Sequence, residues 1–400
     1  MNNDRLILIT NPGSSSRKYA LYKGKEFVCS LHFEFEGKEI VCTLKRADDT
    51  KKKIKTDFKS LTSTVANIEE ILTQEGYLGG MSKLDAILAR IVAPGEFFAH
   101  DHIVDEECLK QLEEAKKKAP LHIPVVAGEI EHFTKSFKGT PILMISDSGF
   151  HTARPELMKA YAIDQDIAEK YDIKRWGFHG LSYGSIVNYM KSQNILPEKL
   201  IVCHIGSGSS VTAIYDGKSH DTTMGYTPLE GIMMSTRAGS MDVAAALCLK
   251  RSLKLTSDED LEKYLNKQCG LLGVSGQSDD MREIIRLRDE GDKKGTFAHA
   301  LYVYRIQSAI GQMAASLGGV DAIVFTATIG ERSDEIRRMV CQKLQYLGFA
   351  LDDAKNVGEM PERHTNIAAE GSKPVYVIRT DEFEEMLRRA YGLLEDGVEG

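Results

Sequence analysis

The sequence predicts an α/β fold in which one domain is used twice. Strand-like and helix-like stretches alternate along the 400 residues. A strand, a Gly/Ser turn and a second strand occur at residues 6–22 and again at 200–215. Matching Gly13-Ser14-Ser15 to Gly208-Ser209-Ser210 puts the two copies 195 residues apart (208 − 13), about half the chain. A tandem duplication is the simplest account.

Strands are expected at 86–92, 142–146, 322–326 and 375–378 beside the two hairpins. Helices are expected at 61–74, 106–118, 182–191, 241–250, 297–317, 333–347 and 382–391. Ser333 is a natural N-cap for its helix, with Ile336, Met339, Val340 and Leu344 on one face. No Pro-rich or Gly/Ser linker separates the halves, so the boundary is expected to be compact, near 150–200.

Composition excludes several classes. Hydrophobic residues make up 42% and charged residues 27%, a globular balance. With 51 Lys and Arg against 58 Asp and Glu, the net charge is −7, which argues against a nucleic-acid partner. No apolar run approaches a membrane span and no signal peptide is read, so a cytoplasmic protein without a membrane partner is expected. Seven scattered cysteines with no CxxC pair suggest reduced thiols. A GxxxxGK[ST] loop, HEXXH, GxSxG and the HRD/DFG kinase pair are all missing. Gly206-Ser-Gly208-Ser-Ser-Val211 lacks the third Gly of a dinucleotide fingerprint and runs into β structure.

The two Gly/Ser hairpins carry the chemistry. Such turns present amide and hydroxyl donors in a concave cluster suited to phosphate. Two of them in equivalent positions suggest phosphate cradles from each repeat facing a shared cleft. Residues 325–333 read as a strand, a glycine turn and a helix N-terminus, a third anion-binding pattern. Four further stretches combine cations, acids and glycine: Ala89–Gly95, Ile145–His151, Arg175–Gly180 and Thr222–Gly239. Two Arg, a His and an Asp beside two phosphate turns suit phosphoryl transfer to an anionic acceptor. Arg can clamp a carboxylate or phosphoryl oxygen bidentately. A carboxylate acceptor is ionised near neutral pH and needs no general base, so His179 would act as a donor to the group in transfer.

At these residues the chain resembles the acetate kinase family, over about residues 6–390. The motifs are Asn11-Pro-Gly-Ser-Ser-Ser-Arg-Lys18, Gly177-Phe-His-Gly180, Met224–Gly231 with Thr236-Arg237, Gly273-Val-Ser-Gly276 and Phe325-Thr-Ala. The resemblance implies duplicated ribonuclease-H-like domains of the actin-like ATPase type, a homodimer, and Mg²⁺-dependent phosphoryl transfer between ATP and acetate. It implies domains at 1–150, with residues near 380–400 packing back, and at 151–380. Arg90, Asp147, His179 and Arg237 would be catalytic. Val92, Leu121, Phe178 and Pro228 would form the acetate methyl pocket. Ser14, Ser16, Lys18, His204, Gly206, Ser207 and Gly208 would meet phosphate. Asp280, Arg282, Thr328, Ile329, Gly330 and Arg332 would flank the nucleotide. Asn11 and Glu382 would be associated with magnesium.

The chain also departs from the family pattern. Ala93-Pro94-Gly95 replaces His-Gly-Gly, Asp147-Ser-Gly-Phe-His151 replaces Asp-Thr-Ala-Phe-His, and Gly206-Ser207-Gly208 replaces Gly-Asn-Gly. Ala327-Thr328-Ile329-Gly330-Glu331-Arg332 replaces Ala-Gly-Ile-Gly-Glu-Asn at the adenosine turn. A β-branched Thr328 and a longer Arg332 would crowd the base, so pyrophosphate is an alternative donor. Propionate is an alternative acceptor. A sugar kinase would use Asp147 as a base. A non-catalytic nucleotide-binding regulator is the reading from another class.

Overall fold

The computed structural model describes residues 4–12, 16–37, 39–58, 60–79, 83–118, 123–359 and 362–396. The chain divides into two compact units. One comprises the residues up to Gly149 together with those from Glu382 onward; the other is Phe150–Asp381.

The first unit is built on eight strands: β1 (Leu6–Pro12), β2 (Ser16–Lys23), β3 (Glu26–Glu36), β4 (Glu39–Arg46), β5 (Lys51–Lys55), β6 (Ala86–Ile91), β7 (His102–Ile103) and β8 (Ile142–Ser146). They form one sheet in the order β5-β4-β3-β2-β1-β6-β8-β7. β1 to β5 make an antiparallel meander, while β6 pairs parallel to both β1 and β8. The second unit holds β9 (Lys199–Ile205), β10 (Ser209–Tyr215), β11 (Lys218–Thr222), β12 (Ala322–Thr326), β13 (His364–Asn366) and β14 (Val375–Ile378). Their order is β11-β10-β9-β12-β14-β13. Here too a hairpin meander is followed by two parallel strands, β12 beside β9 and β14 beside β12. The order β3-β2-β1-β6-β8 in one sheet is the order β11-β10-β9-β12-β14 in the other, the wiring that a duplicated α/β domain requires.

Burial on both faces explains the uninterrupted apolar strands. In β9, Leu200 and Val202 pack with Tyr183, Ile186 and Met190 of the helix Gly180–Ser192. The alternate residues Ile201, Cys203 and Ile205 pack with Tyr302, Ile306 and Ile310 of the helix Lys293–Leu317. In the first unit, Leu8, Ile87, Ala89 and Ile91 share a core with Ile130 and Phe133 of the helix Ile123–Ser136.

Several expectations need correction. Residues 61–74 are two segments, a 3₁₀ stretch Leu61–Asn67 and the helix Ile68–Gln74. The helix expected at 297–317 begins at Lys293, because Asp292 caps it by accepting from the Gly295 amide. Ser333 does cap the next helix, but that helix ends at Cys341, and 345–347 is a separate 3₁₀ turn. The segment after β12 is no glycine turn: the helix Ala327–Arg332 starts at once and includes Gly330. The Glu331 carboxylate accepts the Ala327 amide at 2.9 Å and closes that short helix on itself. The hairpins also align differently from the letters. β1 ends at Pro12 and β9 at Ile205, a spacing of 193 residues (205 − 12), so Ser209 and Ser210 belong to a strand and not to a turn.

A buried charge cluster braces the first hairpin. The Glu129 carboxylate accepts from Thr10 Oγ1 at 3.0 Å and Tyr19 OH at 2.8 Å, and Arg17 Nε lies 3.5 Å away. Burial pushes the Glu129 carboxyl above its ordinary pKa. Strand alternation puts Thr10, Arg17 and Tyr19 on this face and Asn11 and Lys18 on the other. Glu129→Ala should cost about 3–5 kcal/mol of unfolding free energy, because it leaves Arg17 buried without its counter-charge. The double variant Arg17→Leu/Glu129→Leu should recover most of that in denaturant titration. A double variant no more stable than Glu129→Ala would contradict the assignment.

Candidate active site

In each unit the polar side chains gather at the carboxyl ends of the parallel strands, the usual crevice of an open α/β sheet. In the first unit Asn11 lies at the end of β1, Arg90 near the end of β6 and Asp147 just past β8. The Asp147 amide still donates to Ile91 O at 2.9 Å, so its side chain is set by the sheet. Glu382 opens the helix Glu382–Asp396, which packs on β6 and β8. Arg90 donates from Nε to Asp147 Oδ1 at 3.1 Å, and from Nη1 to Glu382 Oε2 at 3.0 Å and Asn11 Oδ1 at 3.2 Å. Asn11 Nδ2 donates to the same Glu382 Oε2 at 3.1 Å. Burial pulls the Arg90 pKa down, but Asp147 and Glu382 outweigh it and hold the guanidinium above its ordinary value.

Two carboxylates surround one cation there, so the cluster has one negative charge to spare. Its oxygen donors suit a hard divalent ion that keeps most of its water. Among the described residues no three His, Cys, Asp or Glu side chains form a metal cage, so Asp147, Glu382 and Asn11 can supply only a partial shell. Lys18 lies opposite Asn11 across the hairpin, is exposed, and makes no ion pair among the described residues. Ser16 begins β2, and Val92 follows β6 half-buried. Ser14 and Leu121 lie outside the described residues.

In the second unit His179 and Arg237 converge on the turn between β9 and β10. A Cβ built on Gly208 would lie 3.2 Å from His179 Nε2 and 3.3 Å from Arg237 Nη1, so glycine keeps the space beneath both donors clear. His179 sits in the left-handed region (φ 61°) ahead of the helix Gly180–Ser192. Its Nδ1 is 2.8 Å from Ser210 Oγ, and its ring stacks on His204 at 4.0 Å. His204 Nδ1 in turn lies 2.9 Å from Ser182 Oγ. The Gly206 amide is used inside the turn, donating to Gly208 O at 3.1 Å. Ser207 is exposed, and its carbonyl accepts the Ser235 amide at 3.2 Å.

Arg237 has no carboxylate partner among the described residues; Nη1 reaches only Met234 Sδ, at 3.6 Å. Burial alone lowers its pKa from the ordinary value. A half-buried guanidinium with no counter-charge among the described residues, beside a His and a glycine turn, could receive an anion. Phe178 and Pro228 are both buried in this unit, and Val92 belongs to the other.

Beside the turn lies a cavity of about 650 Å³. Ser207 and Ser235 line it near the turn, Asp279, Asp280, Met281, Arg282 and Ile285 along one wall, and Thr328, Ile329 and Arg332 along another. Asp280 caps the helix Met281–Asp289 and pairs with Arg282 at 2.5 Å, which holds its carboxyl below the usual range. Arg332 makes no ion pair among the described residues. Buried Arg337 donates to the carbonyls of Gly330 at 2.8 Å and Glu331 at 2.9 Å, and so secures the short helix that carries Thr328 and Ile329.

Sequence reasoning missed Ser210, Ser235, Asp279, Ile285 and Met234. Ser210 stood within the quoted repeat, and its contact with His179 depends on strand register. Met234 and Ser235 stood within the Thr222–Gly239 stretch and Asp279 beside Asp280, but nothing in the letters singled them out from their neighbours, and Ile285 stood in no motif.

The profile of the Acetokinase family matches residues 6–388. The acetate kinase of Thermoanaerobacter pseudethanolicus is 37% identical over 388 residues, covering 94% of this chain and 96% of that protein. Among solved structures, the acetate kinase of Porphyromonas gingivalis has a TM-score of 0.83 at 31% identity, covering 96% of this chain and 98% of that one. A propionate kinase from Francisella tularensis has a TM-score of 0.85 at 30% identity, with the same coverage. A family match over nearly the whole length, on a fold with two α/β sheets wired alike, makes the chain a member of the acetokinase family.

Proposed function

We propose that the chain transfers a phosphoryl group reversibly between ATP and acetate, giving ADP and acetyl phosphate. The observation that carries the reading is Arg237, a guanidinium with no carboxylate partner among the described residues, beside His179 and Gly208. An acetate oxygen attacks the γ-phosphorus and forms the new C(O)O–P bond. The bond to the β,γ-bridging oxygen breaks, and ADP leaves with that electron pair. No proton needs to move, because acetate arrives as its anion. Arg237 and His179 donate to the oxygens of the phosphoryl in flight, and Arg90 orients the acceptor carboxylate. Ser14, Ser16 and Lys18 from one hairpin, and His204, Gly206, Ser207 and Gly208 from the other, would hold donor phosphates. Gly206 contributes shape more than a donor, because its amide is already used. The resemblance assigns Val92, Leu121, Phe178 and Pro228 to the acceptor's methyl group, with Leu121 outside the described residues.

Asp147, Glu382 and Asn11 would hold Mg²⁺, which neutralises phosphate charge when bound. Asp280, Arg282, Thr328, Ile329, Gly330 and Arg332 receive the nucleoside. Thr328 and Arg332 line an open cavity of about 650 Å³, a volume within the range of small-molecule pockets. That supports a nucleotide donor over pyrophosphate. A homodimer is part of the reading. The helix Val243–Ser252 buries none of its residues and leaves Val243 and Leu247 exposed, a surface suited to a subunit contact. No helix among the described residues is long and apolar enough to cross a membrane, and a cytoplasmic location is proposed with it.

With acetate as acceptor, ATP should support acetyl phosphate formation at a rate typical of kinases, roughly 1–100 s⁻¹, and pyrophosphate should not. Turnover with pyrophosphate alone would reverse the donor assignment, and a higher kcat/KM on propionate than on acetate would change the acceptor. Arg90→Ala should lower kcat/KM for acetate by about 10²–10³-fold. A loss confined to the KM for ATP would contradict the role of Arg90. Glu382→Gln should raise the Mg²⁺ concentration needed for half-maximal velocity by about 10–100-fold. An unchanged Mg²⁺ titration would remove Glu382 from the metal site.

A further inference from the structure

We infer that His151 is a positioning residue that fixes His179 through the carbonyl of Phe178. His151 is 1% exposed. Its Nε2 lies 2.9 Å from Phe178 O, and its Nδ1 lies 2.7 Å from Ser219 Oγ on β11. A carbonyl oxygen can only accept, so Nε2 carries a proton. In the neutral ring Nδ1 is then the acceptor and the Ser219 hydroxyl the donor. The Phe178 carbonyl thus fixes the ring proton on Nε2, and the Ser219 hydroxyl anchors the other side of the ring by donating to Nδ1.

The backbone there needs such a clamp. Gly177 has φ 77° and His179 has φ 61°, and a left-handed histidine is uncommon and disfavoured. A Cβ on Gly177 would lie 2.9 Å from the His151 ring and 2.8 Å from Thr222 Cγ2, so the turn is pressed flush against both. The amides of Trp176 and Gly177 donate to Gly225 O at 3.0 and 3.2 Å and hold the turn from its other side. The Tyr183 ring, one turn into the helix that His179 opens, packs edge-on to His151 at 5.6 Å. His151 therefore contacts the turn and the helix that together aim the His179 imidazole.

The inference rests on the reading of His179 as a donor to the transferring phosphoryl. Four variants separate the two ideas: His179→Ala, His151→Leu, His151→Gln and Ser219→Ala, assayed for acetyl phosphate formation from ATP and acetate. His151→Leu should lower kcat by about 10–100-fold, the cost of a donor displaced by up to ~1 Å, with KM for ATP changed less than about threefold. His151→Gln should recover much of kcat, because its amide Nε2 can still donate to Phe178 O. Ser219→Ala touches neither His179 nor substrate, yet it should lower kcat. The His151 ¹⁵N signals should stay those of the Nε2-protonated form, because Phe178 O still only accepts, while the Nδ1 signal loses the shift that its hydrogen bond to Ser219 causes. Thermal melts check that each variant folds, and Ser219→Ala keeps the test open if His151→Leu does not. An inactive His179→Ala beside a wild-type kcat in both His151→Leu and Ser219→Ala would overturn the inference and leave the function standing. An active His179→Ala would overturn the reading beneath it. A His151→Gln variant no better than His151→Leu would reduce His151 to a packing residue.

Discussion

Among the described residues no carboxylate balances the charge of Arg237, and the side chains around the turn between β9 and β10 meet at that imbalance. Burying a cation without a counter-ion is unfavourable, and the cost falls when an anion arrives. Gly208 leaves open the space that the guanidinium and His179 share. Ser210 and His204 fix the His179 ring from one edge and one face. The same turn borders the cavity through Ser207, so a ligand filling the cavity can reach the anion site without leaving this unit. Phosphate chemistry is what such a place can do, because transfer of a phosphoryl group needs charge stabilisation and alignment more than acid or base.

The first unit solves the opposite problem. Arg90 is bound by Asp147 and Glu382, and the excess there is negative. In the proposed reading the paired guanidinium would orient a small carboxylate, and the acidic oxygens would be left for a hydrated cation. The overall charge of −7 cannot draw anions to the protein, so attraction must be local. In the proposed reading Lys18 and Arg90 in one unit and Arg237 in the other would provide it, each locally.

Much of the fold was legible because parallel strands buried on both faces read as plain apolar runs, such as residues 142–146 and 322–326. Both hairpins were legible from alternation and Gly/Ser content. Their register was not, because Gly-Ser-Ser letters do not say where strand pairing closes; the match was two residues off. The Ala327–Arg332 helix was hidden by Gly330, which suggests a turn until the Glu331 carboxylate is seen closing the helix on Ala327. In the site, the residue types were readable from irregular, Gly-rich stretches. The contact of Arg90 with Glu382, 292 residues away, was not, since only the packing of the last helix on β6 and β8 brings it about. His151 was visible as a residue but not as a partner, because its bonds to Phe178 and Ser219 reach 27 and 68 residues along the chain.

The most direct test of the account is the turnover of Arg237→Ala with ATP and acetate, measured with and without added guanidinium ion. Losing one preorganised cation from a transition state should lower kcat by about 10²–10³-fold, with the KM for ATP held within a few-fold, and guanidinium should restore part of the rate. Wild-type turnover in Arg237→Ala, or a defect confined to the KM for ATP, would contradict the claim that this unbalanced charge receives the phosphoryl group.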